Sequence, residues 1–358
     1  MKFLFLSLLF GVLLIADAYA DPVGEMHRVT SEKSASLRDA KHRDELRITI
    51  WYPAAAGAVE HQLVLGPPDR PVRDVGSVAA NAALTTARER RPVILLSHGF
   101  GGTARIMGWF GIAMARGGYI VIAVDHPGNN GIDEMTVPGA ILYWDRADDL
   151  RAALEAVERD PIIGSHLDLT RLGVAGFSYG GFTALVAGGA RVDPSRLARF
   201  CAANPDDGVC RPQREFAITP EQVAETYSRP ETAVDLARAG DDHSVPGVRA
   251  VFAMAPALVQ ALDPTSLANL RIPAHIVLGD ADGVAPPATN GLVAAKLIPG
   301  AELQQLANVG HYDFLATCTD AGRKVVPICN VRVPQADTHN QAITAAQDFF
   351  GRNLKDFR

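Results

Sequence analysis

The stretch RLGVAGFSYGG at residues 171–181 decides the fold. It begins with an apolar run typical of a buried strand, places Ser178 between Gly176 and Gly180, and continues as a helix-like sequence. A G-x-S-x-G match between a strand and a helix indicates a sharp turn that exposes the serine hydroxyl. The two glycines leave space for a crowded backbone that a side chain would block. The pattern therefore predicts a nucleophilic serine where a strand turns into a helix.

Similar apolar runs occur on both sides of this stretch. They lie at residues 92–99, 119–128, 249–257 and 274–282, and an alternating pattern predicts a further strand at 46–53. Helix-like stretches separate them, at residues 104–116, 144–159, 179–190, 291–297 and 338–354. Buried strands that alternate with helices favour a parallel sheet covered on both faces. We therefore expect an α/β protein with a mostly parallel central sheet and helices on both faces.

Three regions do not follow this alternation of strands and helices. Residues 21–45 are polar and are expected on the surface, and residues 54–90 suggest a loop with a short helix. Residues 193–247 contain prolines and many charges but no strong strand. Because long insertions in compact domains are usually functional, we interpret 193–247 as a cap over the active site. An ordinary surface excursion is the alternative.

The sequence HGFGG at residues 98–102 follows the apolar run VILLS. Glycines at this place let the backbone bend and direct N–H groups at a developing oxyanion. The N–H groups of Phe100 and Tyr179 are the predicted donors. A glycine-rich turn without a catalytic role is the alternative.

A serine nucleophile needs a general base, and His311 is the best candidate. It lies in NVGHYDFL, after all the predicted core strands, and a G-x-S-x-G hydrolase has its residues in the order serine, acid, histidine. Other histidines have weaker positions: His275 in a predicted strand, His339 at the exposed start of the last helix, and His98 and His126 before the serine, where they would shape the pocket.

The acid is expected between the serine and His311, after a strand. HIVLGDADGVAP offers Asp280 and Asp282. Asp282 is preferred because it lies in a loop beyond the strand end, whereas Asp280 is nearer the strand and would cap a turn.

With these motifs the chain resembles the α/β-hydrolase superfamily. More narrowly it resembles the dienelactone-hydrolase-like group, which is similar to platelet-activating factor acetylhydrolases. The segments that carry the resemblance are LRITIWYPA, LLSHGFGG, VDHPGN, GFSYGG, LGDADGVAP and GHYDFL, within residues 46–315. The resemblance implies a nucleophile, an acid, a base and two oxyanion donors at Ser178, Asp282, His311, Phe100 and Tyr179. Well-studied dienelactone hydrolases have a cysteine nucleophile, so dienelactone does not carry over as the substrate.

The first twenty residues predict a signal peptide. A lysine precedes an apolar run at 3–15, and Ala-Tyr-Ala at 18–20 matches a small-x-small cleavage site. The run is shorter than the about 20 residues of a membrane helix, and no later stretch is apolar enough to span a bilayer. We therefore expect a secreted or periplasmic protein with a mature domain at 21–358 and no stable membrane span.

An even number of cysteines in an exported protein favours disulfides. More than one pairing is possible, and local pairing of Cys201 with Cys210 and of Cys318 with Cys329 is expected because each pair closes a short loop. Their spacing is not of the zinc-binding C-x-x-C type, so no metal is expected.

Composition narrows the possible partners. The 358 residues carry a net charge of −6, and no cluster of five or more basic residues occurs, so a nucleic-acid partner is not expected. The function expected is hydrolysis of small carboxylic esters, with short acyl chains, by a Ser-His-Asp triad without a cofactor. A lipase or amidase, a cofactor-free haloperoxidase and a non-catalytic binding protein on the same fold are the alternatives, and the sequence leaves the oligomeric state open.

Overall fold

A mixed sheet of eleven strands runs through the part of the chain that the computed structural model describes, residues 22–85 and 90–355. The predicted signal segment at 1–20 lies outside the described residues. The strands are β1 Val23–Ser31, β2 Glu45–Pro53, β3 His61–Leu65, β4 Arg73–Ala80, β5 Arg91–Ser97, β6 Ile120–Asp125, β7 Leu167–Phe177, β8 Val248–Met254, β9 Ala274–Gly279, β10 Glu302–Leu306 and β11 Thr317–Cys318.

The order of the strands confirms a mostly parallel central sheet. Along the sheet it is β10-β9-β8-β7-β5-β6-β2-β1-β4-β11, with β3 paired to β4. The six strands from β10 to β6 are parallel to their neighbours, and β2 joins β6 in the antiparallel sense. Since the carboxyl ends of parallel strands meet at one edge of a sheet, the loops after β5, β7, β9 and β10 share that edge.

Helices cover both faces of the sheet. They are α1 Ala35–Arg38, α2 Gly108–Arg116, α3 Val137–Ile141, α4 Asp145–Glu158, α5 Tyr179–Ala187, α6 Pro194–Ala203, α7 Pro220–Ser228, α8 Pro230–Leu236, α9 Pro264–Ala268, α10 Gly291–Leu297, α11 Asp320–Val325 and α12 Gln335–Asn353. None of the helices in the described ranges is long and apolar enough to cross a membrane.

The side chains of β5 show how the two faces are divided. Val93 and Leu95 pack in one apolar core with residues of α4 and α5. Ile94 and Leu96 pack in a second core with residues of α2 and α12. Successive residues of a strand point to opposite faces, so one continuous apolar run supplies both cores.

Two expectations about the amino-terminal region were wrong. Residues 54–90 hold strands β3 and β4 rather than a loop and a short helix, and residues 21–45 include β1, which lies between β2 and β4 in the sheet. β1 has four buried residues followed by exposed and half-buried residues in alternation, and β4 contains Gly76 and small residues. Their pairing partners, distant in sequence, make them strands.

Candidate active site

Ser178 lies at the turn between β7 and α5. Its backbone has a φ of 58° and a ψ of −118°, a conformation that residues other than glycine rarely adopt. The turn is anchored because the Ser178 N–H donates to the Met254 carbonyl oxygen at 2.9 Å. A Cβ on Gly176 would lie 2.0 Å from the Gly180 oxygen, and one on Gly180 would lie 1.9 Å from the Ser97 oxygen. Both glycines are therefore required by the close approach of backbone.

The side chains of Ser178, His311 and Asp282 form a continuous hydrogen-bonded chain. His311 Nε2 is 2.8 Å from Ser178 Oγ, and His311 Nδ1 is 2.6 Å from Asp282 Oδ2. The carboxylate requires an N–H at Nδ1, so Nε2 is left to accept the serine proton. All three side chains are buried in the protein.

The loop after β9 fixes the carboxylate of Asp282. Its Oδ1 accepts hydrogen bonds from the N–H groups of Val284 and Ala285, at 2.9 and 2.8 Å. Asp280 instead accepts from the Asn308 N–H at 2.6 Å and so stabilises the adjoining turn. The structure thus brings Asp282, and not Asp280, to His311.

The HGFGG loop lies against the serine turn. A Cβ on Gly99 would approach the Phe177 ring to 3.0 Å and the Ser178 Cβ to 3.3 Å. The Phe100 and Tyr179 rings meet edge to face, with centroids 5.2 Å apart. Tyr179 is the first residue of α5, so its N–H has no carbonyl partner one turn earlier in the helix. A helix amino terminus also carries partial positive charge, which favours an anion.

Ser178 and His311 line a cavity of about 240 Å³. Phe100 and Tyr312 form part of its wall, and Gln213 of the 193–247 segment contributes as well. The cavity is smaller than the roughly 300–1,000 Å³ of drug-sized ligand sites. A small molecule at this place would contact the serine directly.

Comparison with known proteins identifies the family of this chain. The sequence profile described as "Alpha/beta hydrolase family" matches residues 93–326, which is more than half of the chain. The chain belongs to the alpha/beta hydrolase family. Among solved structures it is similar to a ferulic acid esterase from Streptomyces cinnamoneus, with 20% sequence identity and a TM-score of 0.59 over 94% of this chain and 91% of that one. A search of curated proteins finds no match.

A buried arginine beside the site, Arg146, was not predicted from the sequence of this alpha/beta hydrolase. Arg146 of α4 donates from Nη2 to the His98 carbonyl oxygen and from Nη1 to Asn129 Oδ1 at 2.9 Å. Asn129 Oδ1 in turn accepts from the Gly101 N–H at 3.3 Å, and Arg146 Nε donates to Thr183 of α5 at 3.1 Å. One cation therefore ties the HGFGG loop to the helix that begins at the serine.

The position of Arg146 in the helix could have indicated its burial. It shares a face with Leu150, Ala153 and Val157, which all pack in the core. Burial lowers the pKa of Arg146 to about 9, so the group stays cationic at neutral pH.

A second hydrogen-bonded chain lies beneath the loop. Ser97 Oγ is 2.8 Å from His126 Nε2, and His126 Nδ1 is 2.8 Å from Asp149 Oδ2. Arg38 donates to both oxygens of Asp149, at 2.9 and 2.7 Å. His126 therefore packs behind the HGFGG loop and does not line the cavity.

Two further expectations about histidines need correction. His98 was expected to shape the pocket, but its Nδ1 lies 2.7 Å from the Gly99 oxygen and its Nε2 accepts from the His126 N–H, away from the cavity. His339 was expected to be exposed, yet it is buried and stacks on Trp109 with centroids 3.9 Å apart. In both cases a contact distant in sequence buries the ring.

The disulfides of the structure have the local pairing expected from the sequence: Cys201 with Cys210, and Cys318 with Cys329. The loop closed by the first pair contacts the loop that carries the acid. Asp207 Oδ2 accepts from Thr289 Oγ1 at 2.8 Å, and a Cβ on Gly208 would lie 2.3 Å from the Gly283 oxygen.

Proposed function

We propose that this alpha/beta hydrolase cleaves carboxylic esters through an acyl-enzyme on Ser178. The observation that carries the proposal is the chain of hydrogen bonds from Ser178 through His311 to Asp282, with the serine on a cavity wall. The fold that it shares with the ferulic acid esterase agrees with the proposal.

The chemistry follows from the tautomer of His311. Its Nε2 accepts the proton of Ser178 as Oγ attacks the ester carbonyl. Asp282 holds the ring and stabilises the imidazolium that forms. His311 then donates the proton to the leaving alcohol, and water releases the acid by the same steps in reverse.

The oxyanion of each tetrahedral intermediate would be held by the N–H groups of Phe100 and Tyr179. Each such donor contributes about 3 kcal/mol to transition-state stabilisation in serine hydrolases. The close packing of Gly99 against Ser178 keeps this loop next to the reacting carbon.

The size of the cavity favours short acyl chains, and the segment 193–247 acts as a cap because it supplies part of the cavity wall. Two disulfides fit an exported protein, since such bonds persist in oxidising compartments. We therefore place the enzyme in the periplasm or outside the cell.

The experiment is an assay of the mature protein on p-nitrophenyl esters from acetate to long-chain acids. We expect hydrolysis that is fastest for short chains and is lost in Ser178→Ala, with circular dichroism to show that the variant folds. Equal rates in both proteins would reject the serine mechanism. A folded wild type that cleaves no ester would favour a binding protein.

A further inference from the structure

A buried arginine lies in the wall of the active-site cavity. Arg73 of β4 is only 4% exposed, and it lines the cavity together with Leu65, Leu315 and Ile328. These three neighbours are apolar, so the guanidinium is the charged group of this wall. None of the steps proposed for ester hydrolysis uses it.

The hydrogen bonds of Arg73 are incomplete. Its Nη1 donates to the Ala316 carbonyl oxygen at 2.6 Å, but its buried Nη2 has no hydrogen-bond partner among residues 22–85 and 90–355. No carboxylate in those ranges forms an ion pair with it within 4.0 Å. Burial alone lowers its pKa, to about 10, so it remains charged at neutral pH.

Other buried arginines of the chain are better satisfied. Arg38 has both oxygens of Asp149, and Arg146 donates to several oxygens around the HGFGG loop. An uncompensated buried charge is costly, and proteins pair such charges or expose them. Arg73, which lines the cavity, therefore lacks an anionic partner among the described residues.

We propose that Arg73 binds a carboxylate of the substrate, so that the esters cleaved at Ser178 carry a free acid group. This inference rests on the proposed function, because it names the substrate class of the same site. The guanidinium suits the task, since its planar N–H groups match a carboxylate and keep their charge at any physiological pH.

One acidic group also borders the cavity. Glu215 lies at the exposed rim, and burial together with this carboxylate raises the pKa of Tyr312. Solvent and salt screen an exposed charge far more than a buried one. The buried cation therefore dominates the recognition of a substrate carboxylate.

The experiment compares esters of the same shape with and without the charge. For the acyl side, the anionic ester is monoethyl succinate and the neutral one is ethyl isocaproate. For the alcohol side, the anionic ester is 3-acetoxypropionate and the neutral one is isopentyl acetate. We expect wild-type kcat/KM to be about tenfold or more higher for the anionic member of one pair, and that pair identifies the half that contacts Arg73.

The decisive variant is Arg73→Gln, whose amide can still donate to the Ala316 oxygen but has no charge. It should lose the preference for the anionic ester and retain activity on the neutral one. Arg73→Lys should keep part of the preference. Arg70→Gln, in the exposed turn before β4, is the matched control and should change neither rate.

Other outcomes would overturn the inference. A wild type without preference, or an Arg73→Gln protein that loses both rates equally, means that the arginine is only structural. If wild type cleaves no ester, the proposed function fails, and thermal melting with succinate against succinamide still tests the site. Stabilisation of wild type by succinate alone, absent in Arg73→Gln, would support it, and no stabilisation would reject it.

Discussion

Two Ser–His–Asp chains among the described residues have nearly the same distances but different surroundings. In one, Ser178, His311 and Asp282 are joined at 2.8 and 2.6 Å. In the other, Ser97, His126 and Asp149 are joined through the corresponding atoms, and both distances are 2.8 Å. Hydrogen-bond lengths alone do not distinguish them.

The surroundings of the two chains distinguish them. Ser178 lies on a cavity wall in a strained turn next to a helix amino terminus, whereas Ser97 ends a regular strand, is fully buried and accepts a hydrogen bond from Arg146 at 3.3 Å. Asp149 is paired with Arg38, whereas Asp282 is held by backbone N–H groups. Access to substrate and donors for an oxyanion make a serine reactive, beyond the residue types themselves.

The comparison is tested most strongly at the two serines. Ser178→Ala should lower kcat by about a million-fold, because it removes the nucleophile. Ser97→Ala, the matched control, should keep the chemistry and change kcat by about tenfold at most, since it only loosens a supporting contact. Steady-state ester hydrolysis measures both. A comparable loss in the two variants would mean that the second chain takes part in the reaction.

The two aspartates should separate activity from stability. Asp282→Asn should lower kcat by about ten-thousand-fold, because the amide favours the wrong tautomer of His311. Asp149→Asn should instead lower the free energy of unfolding by about 3–5 kcal/mol, since it leaves Arg38 without its main counter-charge. Urea unfolding and kcat on both variants check this. Unchanged stability in Asp149→Asn would contradict the structural role of the buried chain.

Arg146 contacts Ser97 of the buried chain and the HGFGG loop beside Ser178, and its removal should have an intermediate effect. Arg146→Met frees the HGFGG loop from α5, so kcat should fall about tenfold to a hundredfold with little change in KM. Arg146→Lys should restore part of the rate. Arg151→Met, on the same helix but half-exposed beside Asp148, is the control. A rise in KM at constant kcat would show that Arg146 does not position the oxyanion donors.

The smallest effect concerns pH. Burial and the positive charges of Arg146 and Arg38 lower the pKa of His126 well below 6.5, so the ring stays neutral in the native state. The unfolded chain takes up a proton below about pH 6.5, so stability is lost as the pH falls through that value, by about 1.4 kcal/mol per unit. His126→Gln should lower the change in unfolding free energy between pH 6.5 and 5.5 by about 1 kcal/mol, because the unfolded imidazole is only partly protonated over this range. An unchanged slope would mean that His126 is protonated when folded.

Local patterns predicted the side chains that the structure brings together in much of the candidate site. The strand-turn-helix around Ser178 needs close backbone contacts that only glycine allows, and these leave a recognisable spacing in the sequence. The late position of His311 and the loop position of Asp282 follow from the order of strands. The serine turn is thus encoded within a few residues, and the other two positions follow from the succession of apolar runs along the chain.

The parts that could not be predicted depend on distant contacts. Arg38, Arg73 and Arg146 look like solvated charges in the sequence, and their burial arises from elements far away along the chain. Strands β1 and β4 have weak patterns of their own because one or both faces are not fully buried. Burial of a charge has no local signature, since the partner that compensates it lies elsewhere.

The central claim is that Ser178 is the only serine of the two chains that reacts. Diisopropyl fluorophosphate labels activated serine hydroxyls, and mass spectrometry of the digested protein identifies the labelled peptide. We predict one adduct per chain, on Ser178, that is absent in Ser178→Ala and strongly slowed in His311→Ala. An adduct on Ser97, or a folded wild type that takes up no label, would contradict the account.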